Sequence, residues 1–479
     1  MLKQFSRIML CGLLVVLLAG LATPALAQAD CSADIEYGDV GDSAMAEADY
    51  AAAVEAYTCV IQLAPNDYQG YIRRSEAALL AGDYMMALAD RNSAISLAID
   101  DWATLSIELS DIYAAQIDDD PTAIAPRILY AFLKLFDGDT SGAAEQYDAI
   151  LKLDFNNAFA WLFRGLTEQE QGISDNFESD LQRAIELDPD NPAVYTLIAL
   201  IYLGNGDVDS AVDYFEQAIA ADDSYAYAYY ERGFYAASQG DYEQAIEDYT
   251  RAINNDYTPA STPLFERANL YITTQDYDSA LDDFNTLIEL DPENISHYEN
   301  RASIYLSLND LESAIAEYDR IAEIAPDNAN NYLTRGTYKL LREDMEGGAA
   351  DFLLYVQLIE SEQVDMGALE AGDTATIDMD FGRNHYFTFD AQEGDVFTIT
   401  AISSDTLVDP LIIILDEDGT PIYTNDDIDP SIPDFNAMIE GWEAPADGTY
   451  TLIVSHAAAG SFGPVDVTLE AGTGSGSDA

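Results

Sequence analysis

Short turn-like segments recur through most of the chain at one near-constant spacing, and this period narrows the choice of fold more than any single motif does. They read QLAPND, LAIDD, KLDFNN, ELDPDN, AADDS, NNDYT, ELDPEN and EIAPDN, marked by Pro65, Ile99, Phe155, Pro189, Asp223, Tyr257, Pro292 and Pro326. Successive marks lie 34, 56, 34, 34, 34, 35 and 34 residues apart. The 56 is one period plus 22, and DWATLSIELSDIYAAQ within it is long enough for one additional helix before Pro121. Inside the units, apolar residues at helical spacing are interrupted midway by Gly82-Asp83, Gly138-Asp139, Gly206-Asp207, Gly240-Asp241 or Asn309-Asp310. The pattern predicts helix, tight turn, helix in each unit.

Small residues recur where two such helices must approach closely. The first helices carry Gly165, Ala199, Gly233, Ala268, Ala302 and Gly336, and the second carry Ala53, Ala87, Ala143, Ala211, Ala245, Ala280 and Ala314. In most units a ring follows four residues later, as in Tyr57, Tyr147, Phe215, Tyr249, Phe284, Tyr318 and Phe352. Small against large at fixed spacing lets stacked helix pairs interdigitate. This pattern resembles the tetratricopeptide repeat family over about residues 34–362, in nine units plus the odd helix. The unit at Ala226–Tyr257, with YYERGFYAASQGDYEQAIEDYTRAI, carries nearly every consensus feature. The resemblance implies an all-α right-handed superhelix, a fold shared by binders of many things.

Six arginines occupy one equivalent place in their units: Arg74, Arg164, Arg232, Arg267, Arg301 and Arg335. Sixteen residues after each stands an acid: Asp90, Asp180, Asp248, Asp283, Glu317 and Asp351. The remaining units have Val40, Tyr130 and Ile198 in the arginine place, with Ala56, Gln146 and Tyr214 opposite, none of them acidic. Residues equidistant from the turn of an antiparallel pair face each other, so each arginine should meet its acid in a bidentate structural ion pair. A ligand hook is the other reading of these cations.

The first residues read as a secretory signal peptide: Lys3 and Arg7, an apolar run from Ile8 to Leu21, then Ala25-Leu26-Ala27. Cleavage after Ala27 would lower the net charge from −69 to −71, because it removes two cations and no acid. It would leave Cys31 and Cys59 as a disulfide or as two free thiols. The protein is then expected outside the cytoplasm, as a secreted, periplasmic or cell-surface protein with no integral membrane span. So strong an acidity excludes nucleic acid as a partner. The first helices should line a concave groove with Leu162, Leu166, Thr196, Leu200, Leu203, Tyr230, Phe234, Phe265 and Ile272, unless several of these pack between units. An acid-rimmed apolar groove suits a protein or peptide partner with basic flanks, or another copy of the array.

After about residue 363 the helical period gives way to alternation, in HYFTFDA, DVFTITAIS, PLIIILDEDG, PIYTND and GTYTLIVSHA. The features YFTFDAQEGD, LDEDGTPIYTNDD and PADGTYTLIV resemble the bacterial pre-peptidase C-terminal domain over about residues 365–471. That resemblance implies an all-β jelly-roll-like sandwich, appended to secreted enzymes and surface proteins and linked to secretion or to binding protein and polysaccharide. The expected organisation is a leader at 1–27, a superhelix at 28–362 that is irregular at 100–123, a sandwich at 363–471 and a Gly/Ser tail at 472–479. Asp416, Asp418, Asp426 and Asp427, with Asp429 and Asp434, crowd two turns, which either ligate Ca²⁺ or are plain Asx-turns. Trp442 reads as core or as a sugar-stacking platform.

No HExxH, P-loop, GxSxG or dinucleotide fingerprint occurs, and His297, His385 and His456 are scattered. The chain therefore reads as a non-enzyme with no cofactor, Ca²⁺ in the C-terminal part being the one candidate. The leading expectation is an exported scaffold that binds a partner through the repeats and a surface through the sandwich. The alternative is a Ca²⁺-dependent polysaccharide-binding or cell-surface adhesion protein with the repeats as spacer.

Overall fold

The computed structural model describes residues 31, 35–99, 101–170, 176–257, 260–359, 362–379, 383–403, 408–425, 436–456 and 463–472. The expected leader at 1–27 and the tail beyond residue 472 lie outside them. The chain divides into two compact units, 1–291 and 292–479.

The first unit is helical throughout. Its helices are α1 (Tyr37–Ala46), α2 (Tyr50–Leu63), α3 (Tyr68–Ala81), α4 (Tyr84–Leu97), α5 (Trp102–Asp119), α6 (Ala125–Phe136), α7 (Thr140–Leu153) and α8 (Ala158–Glu170). They continue with α9 (Phe177–Leu187), α10 (Pro192–Gly204), α11 (Val208–Ala221), α12 (Ala226–Gln239), α13 (Tyr242–Asn254), α14 (Ser261–Thr273) and α15 (Tyr277–Leu290). All but α5 form antiparallel pairs, and α5 is the odd helix expected before Pro121. The second unit adds two more pairs, α16 (Ile295–Ser307) with α17 (Leu311–Ile324) and α18 (Ala329–Leu341) with α19 (Met345–Leu358).

The turns explain where the helices stop and start. An aspartate caps most second helices: Asp49, Asp83, Asp139, Asp207, Asp241, Asp276, Asp310 and Asp344 each accept an amide hydrogen two or three positions into the helix, at 2.8–3.3 Å. Such caps satisfy amides that have no intrahelical partner. The residue before each cap is left-handed: Gly82, Gly138, Gly206 and Gly240 adopt φ of 75–88°, while Ala48, Gln275, Asn309 and Glu343 adopt the same region with a side chain. Glycine is favoured there because it has no Cβ to clash.

Inside the pairs, the small second-helix residues Ala53, Ala87, Ala143, Ala211, Ala245, Ala280 and Ala314 are wholly buried, and the rings that follow are buried too. Close approach is real: a Cβ on Gly233 would lie 2.9 Å from Asp248 Cβ, and one on Gly336 would lie 2.5 Å from the Phe352 ring. That proximity lets short carboxylates reach across. In all six units the arginine Nε and Nη2 donate to the two oxygens of the acid sixteen residues on, at 2.5–3.0 Å. The carboxylates are buried; the guanidiniums are mostly covered, and Arg74 is 2% exposed. The spare Nη1 often reaches back to the preceding pair, from Arg74 to Thr58, Arg164 to Asp148, Arg267 to Thr250 and Arg335 to Asp319. One side chain thus ties three helices. Where the arginine is absent, buried Ile198 stands opposite half-buried Tyr214, and Arg127, one turn earlier, donates to Gln146 at 3.1 Å.

The β region of the second unit forms two sheets. Its strands are β1 (Glu362–Ala368), β2 (Thr374–Met379), β3 (Arg383–Ala391), β4 (Val396–Ser403), β5 (Pro410–Leu415), β6 (Pro421–Asn425), β7 (Ala437–Glu443), β8 (Gly448–His456) and β9 (Gly463–Ala471). One sheet runs β1-β3-β8-β5-β6, with only β1 and β3 parallel; the other, β2-β9-β4-β7, is antiparallel. Phe387, Phe389, Ile412, Leu452 and Val454 of the first share a core with Ile377, Phe397, Ile399, Val465 and Val467 of the second. Trp442 is part of that core, 5.1 Å from the Tyr450 ring.

The strand β5 is buried at every residue. A strand with one wet face alternates, so a run such as PLIIIL needs cover on both sides. The second cover is α19: Phe352, Tyr355 and Val356 pack on Leu411, Ile413 and Leu415 of β5 and Ile453 of β8. On the same face Ser455 Oγ donates to Asn384 Oδ1 at 2.6 Å.

Two outcomes follow. Removing one partner of a buried charge pair costs about 3–5 kcal/mol, whereas replacing both is near neutral. Thermal unfolding should show Asp248→Ala strongly destabilised and Arg232→Leu/Asp248→Leu much closer to wild type. Residues 363–479 expressed alone should bind a hydrophobic dye through the bared Leu411, Ile413 and Ile453, while 292–479 should not.

Candidate partner-binding surface

The first helices of the first unit carry the apolar residues expected to line a groove. They fall into two sets. Leu162 and Leu166 of α8, Leu200 of α10 and Tyr230 of α12 are buried in the unit's main core, as is Thr196. Leu203 of α10, Phe234 of α12, and Phe265 and Ile272 of α14 are half-buried. The first four are not offered to a partner in this conformation.

Long-range packing explains much of this. The Gly82-Asp83-Tyr84 turn between α3 and α4 sits on the first helices of repeats far along the chain. The Tyr84 ring lies 5.5 Å from Phe159 and 5.7 Å from Phe163, both on α8. Asn191 Nδ2, at the start of α10, points at Gly82 O from 3.5 Å. Asp83 acts electrostatically on Tyr225 and Tyr227 at the start of α12. The pair α3–α4 also packs on α5 and α6: Tyr113 donates to Glu76 Oε1, and the wholly buried Arg91 lies over Phe132 at 5.8 Å. Gly82-Asp83 reads in the repeat pattern as an ordinary mid-unit turn, and none of the other residues stands out there. The one available signal was the aromatic density of YAYAYYERGFY.

That density builds a tyrosine cluster. Tyr227 and Tyr230 pack on Tyr257 at 4.8 and 4.6 Å, and Tyr230 lies 5.7 Å from Tyr249. Within it sits Glu231, only 4% exposed, with no ion pair reaching it among the described residues. Burial pushes its carboxyl up to about 8. Asp83 is pushed up to about 6, again by burial, against the pull of the Met86 amide. Glu266 of α14 is also raised by burial. Hydrophobic surroundings disfavour the charged form of a carboxyl, and each rise is that cost expressed as proton affinity.

The other expected sites are placed as follows. Cys31 and Cys59 form a disulfide. The side chain of Asp416 accepts the amides of Asp418 and Thr420, at 3.0 and 2.7 Å, and so holds its own turn. Asp426 and Asp427, with Asp429 and Asp434, lie outside the described residues. Among the described residues no three His, Cys, Asp or Glu gather to hold a metal ion, and no helix is long and apolar enough to cross a membrane. His385 and His456 are buried on strands, and Tyr355 Oη faces His456 Nδ1 at 3.5 Å.

Part of the repeat array matches a known family. A family model described as tetratricopeptide repeat matches residues 196–260 and 265–329. Photosystem I assembly protein Ycf3 of Prochlorococcus marinus is 34% identical over 84 residues, which are 17% of this chain and 49% of that protein. The chain thus spans about half the length of the curated relatives it matches. Among solved structures, the C-terminal part of a TPR repeat-containing protein from Cytophaga hutchinsonii is 17% identical with a TM-score of 0.40, over 48% of this chain and 94% of that one. The Cut9-Hcn1 hetero-tetramer of the APC/C is 16% identical with a TM-score of 0.35, over 63% and 55%.

Glu231 makes stability depend on pH. Its folded affinity for a proton exceeds the unfolded one, so its contribution is full below about pH 4.5 and is lost as pH rises toward about 8. Glu231→Gln should therefore melt several degrees above wild type at pH 8, and the gap should close toward pH 5. Equal pH slopes for the two proteins would rule this out.

Proposed function

We propose that this chain of tetratricopeptide repeats is an exported, non-enzymatic scaffold that binds a protein or peptide partner through its first-helix face. The reading rests chiefly on one observation. Leu203, Phe234, Phe265 and Ile272 remain half-exposed on three successive first helices, α10, α12 and α14. Apolar and aromatic side chains repeated on adjacent helices suit an extended or helical peptide laid across them. Basic flanks on that peptide fit a chain with 88 acidic residues against 19 Lys and Arg. The ladder arginines are not the recognition groups, since each is engaged in a fork with a carboxylate of its own pair. The two-sheet region is assigned attachment to a surface or polymer, on its likeness to a domain appended to exported proteins.

Immobilised full-length protein should capture a partner from the envelope and medium fractions of the source cells, identified by mass spectrometry. Phe234→Ser/Phe265→Ser should lose that partner while keeping the wild-type melting curve of the second unit. Raised salt should weaken capture, because charge steering is screened. A partner retained equally by the double variant overturns the first-helix reading. A partner lost with EDTA and captured by 292–479 alone would move the function to the two-sheet region.

A further inference from the structure

The face that the repeats would offer to a partner is largely covered by this chain. Four of the eight apolar residues expected to line it are buried, and the turn between α3 and α4 lies across the same helices. Tyr84 packs on both Phe159 and Phe163, Gly82 meets Asn191, and Asp83 acts electrostatically on Tyr225 and Tyr227. We propose that the Gly82-Asp83-Tyr84 turn is a built-in plug on the partner-binding face, and that α8, α10 and α12 become available only when the α3–α4 pair swings away from them. This rests on the first-helix face being the binding face and adds how its access is controlled.

Three features of the seam fit a contact made to open. It joins segments 75 or more residues apart with one long polar contact, the Tyr84 ring and apolar residues such as Leu79, Met85 and Leu88, rather than with a forked ion pair. Its contacts lie on α8 and at the start of α10, and Asp83 acts electrostatically on the start of α12, so a single hinge movement of the pair would clear all of them. It also carries a carboxyl whose burial opposes closure once ionised. Asp83 faces Arg74 from α3, Asp90 from α4, and Tyr225 and Tyr227 from the start of α12; Asp188 acts on neighbouring Tyr84. Arg74 is engaged with Asp90 at 2.7 Å through both oxygens, which leaves Asp83 without a cation of its own. Closure therefore holds a proton on Asp83 up to about pH 6, and an opened turn releases it at the ordinary value of 3.8. The closed state loses ground as pH rises through that window.

Hydrogen exchange on the full-length protein reads this directly, because opening exposes amides of α8 and α12 without unfolding the second unit. After correction for intrinsic rates, exchange in 158–170 and 226–239 should rise about tenfold or more between pH 4.5 and pH 7, with α18 and α19 unchanged. Asp83→Asn keeps the cap and the volume and should abolish that rise. Tyr84→Ala should give fast exchange in α8 and α12 at both pH values. Should Tyr84→Ala unfold the first unit, the Asp83→Asn comparison still decides. Wild-type protection that is flat with pH, or a rise that persists in Asp83→Asn, overturns the plug. Exchange is read without any partner, so a plug that opens while Phe234 and Phe265 prove irrelevant to capture would sink the binding-face assignment alone.

Discussion

A guanidinium gripped by both oxygens of a carboxylate, in a space left by a residue with almost no side chain, is the contact on which the array depends. The residue after each ladder arginine is small: Ser75, Gly165, Gly233, Ala268, Ala302 and Gly336. At Gly233 and Gly336 that absence of a Cβ brings the second helix close enough for a side chain as short as Asp to complete the fork. Desolvating two charges is costly, and the attraction repays it only with near-ideal geometry and no orphaned donors. The forks meet that condition by sending Nη1 to the preceding repeat at Arg74, Arg164, Arg267 and Arg335. A pair interaction thereby becomes a link in a chain of repeats, which is how a quasi-one-dimensional fold acquires cooperativity between neighbours.

The same logic explains what could be read from the sequence. Helix pairs, the odd helix at 102–119 and the forks are all local, or lie at a fixed offset of sixteen residues, so pattern comparison within one chain reveals them. The fate of the groove residues was different. Leu162, Leu200 and Tyr230 occupy the same repeat positions whether the face is open or closed. What decides is packing outside the repeat pattern: Tyr84 on Phe159 and Phe163 and Gly82 beside Asn191, over separations no periodicity encodes, and Tyr249 and Tyr257 around Tyr230. Glu231 shows the limit most clearly. It adjoins a ladder arginine in a stretch with many exposed acids, and only its tyrosine surroundings set it apart. The turn carboxylates at Asp416 and Asp418 show the converse: a cluster that reads as ligands is partly occupied in holding backbone amides.

The cover that α19 places over β5 changes how the C-terminal region should be regarded. Composition shifts abruptly near residue 363, which suggests a boundary there. Packing places it elsewhere, since Phe352, Tyr355 and Val356 belong to the same apolar cluster as Leu411, Ile413 and Ile453. The last repeats and the two sheets thus form one compact unit from residue 292 onward. A strand buried on both faces cannot be separated from the helix that buries it without exposing several large aliphatic side chains to water.

Acidity itself has more than one destination in this molecule. Eight aspartates cap second helices and Asp67 caps α3, where the helix dipole favours negative charge. Six acids are neutralised in forks. Most of the rest are solvated and repel one another, which opposes compaction across a surface of one sign. Against that background a carboxyl withdrawn from water without a cation is the exception, and two cases, buried Glu231 and half-buried Asp83, lie in or beside the seam where the α3–α4 turn meets the start of α12. Most structural acids elsewhere are paired with an arginine or with backbone amides. At the seam Glu231 is left to burial alone and Asp83 to burial and the Met86 amide, so the contact proposed to close the first-helix face is also one that responds to pH.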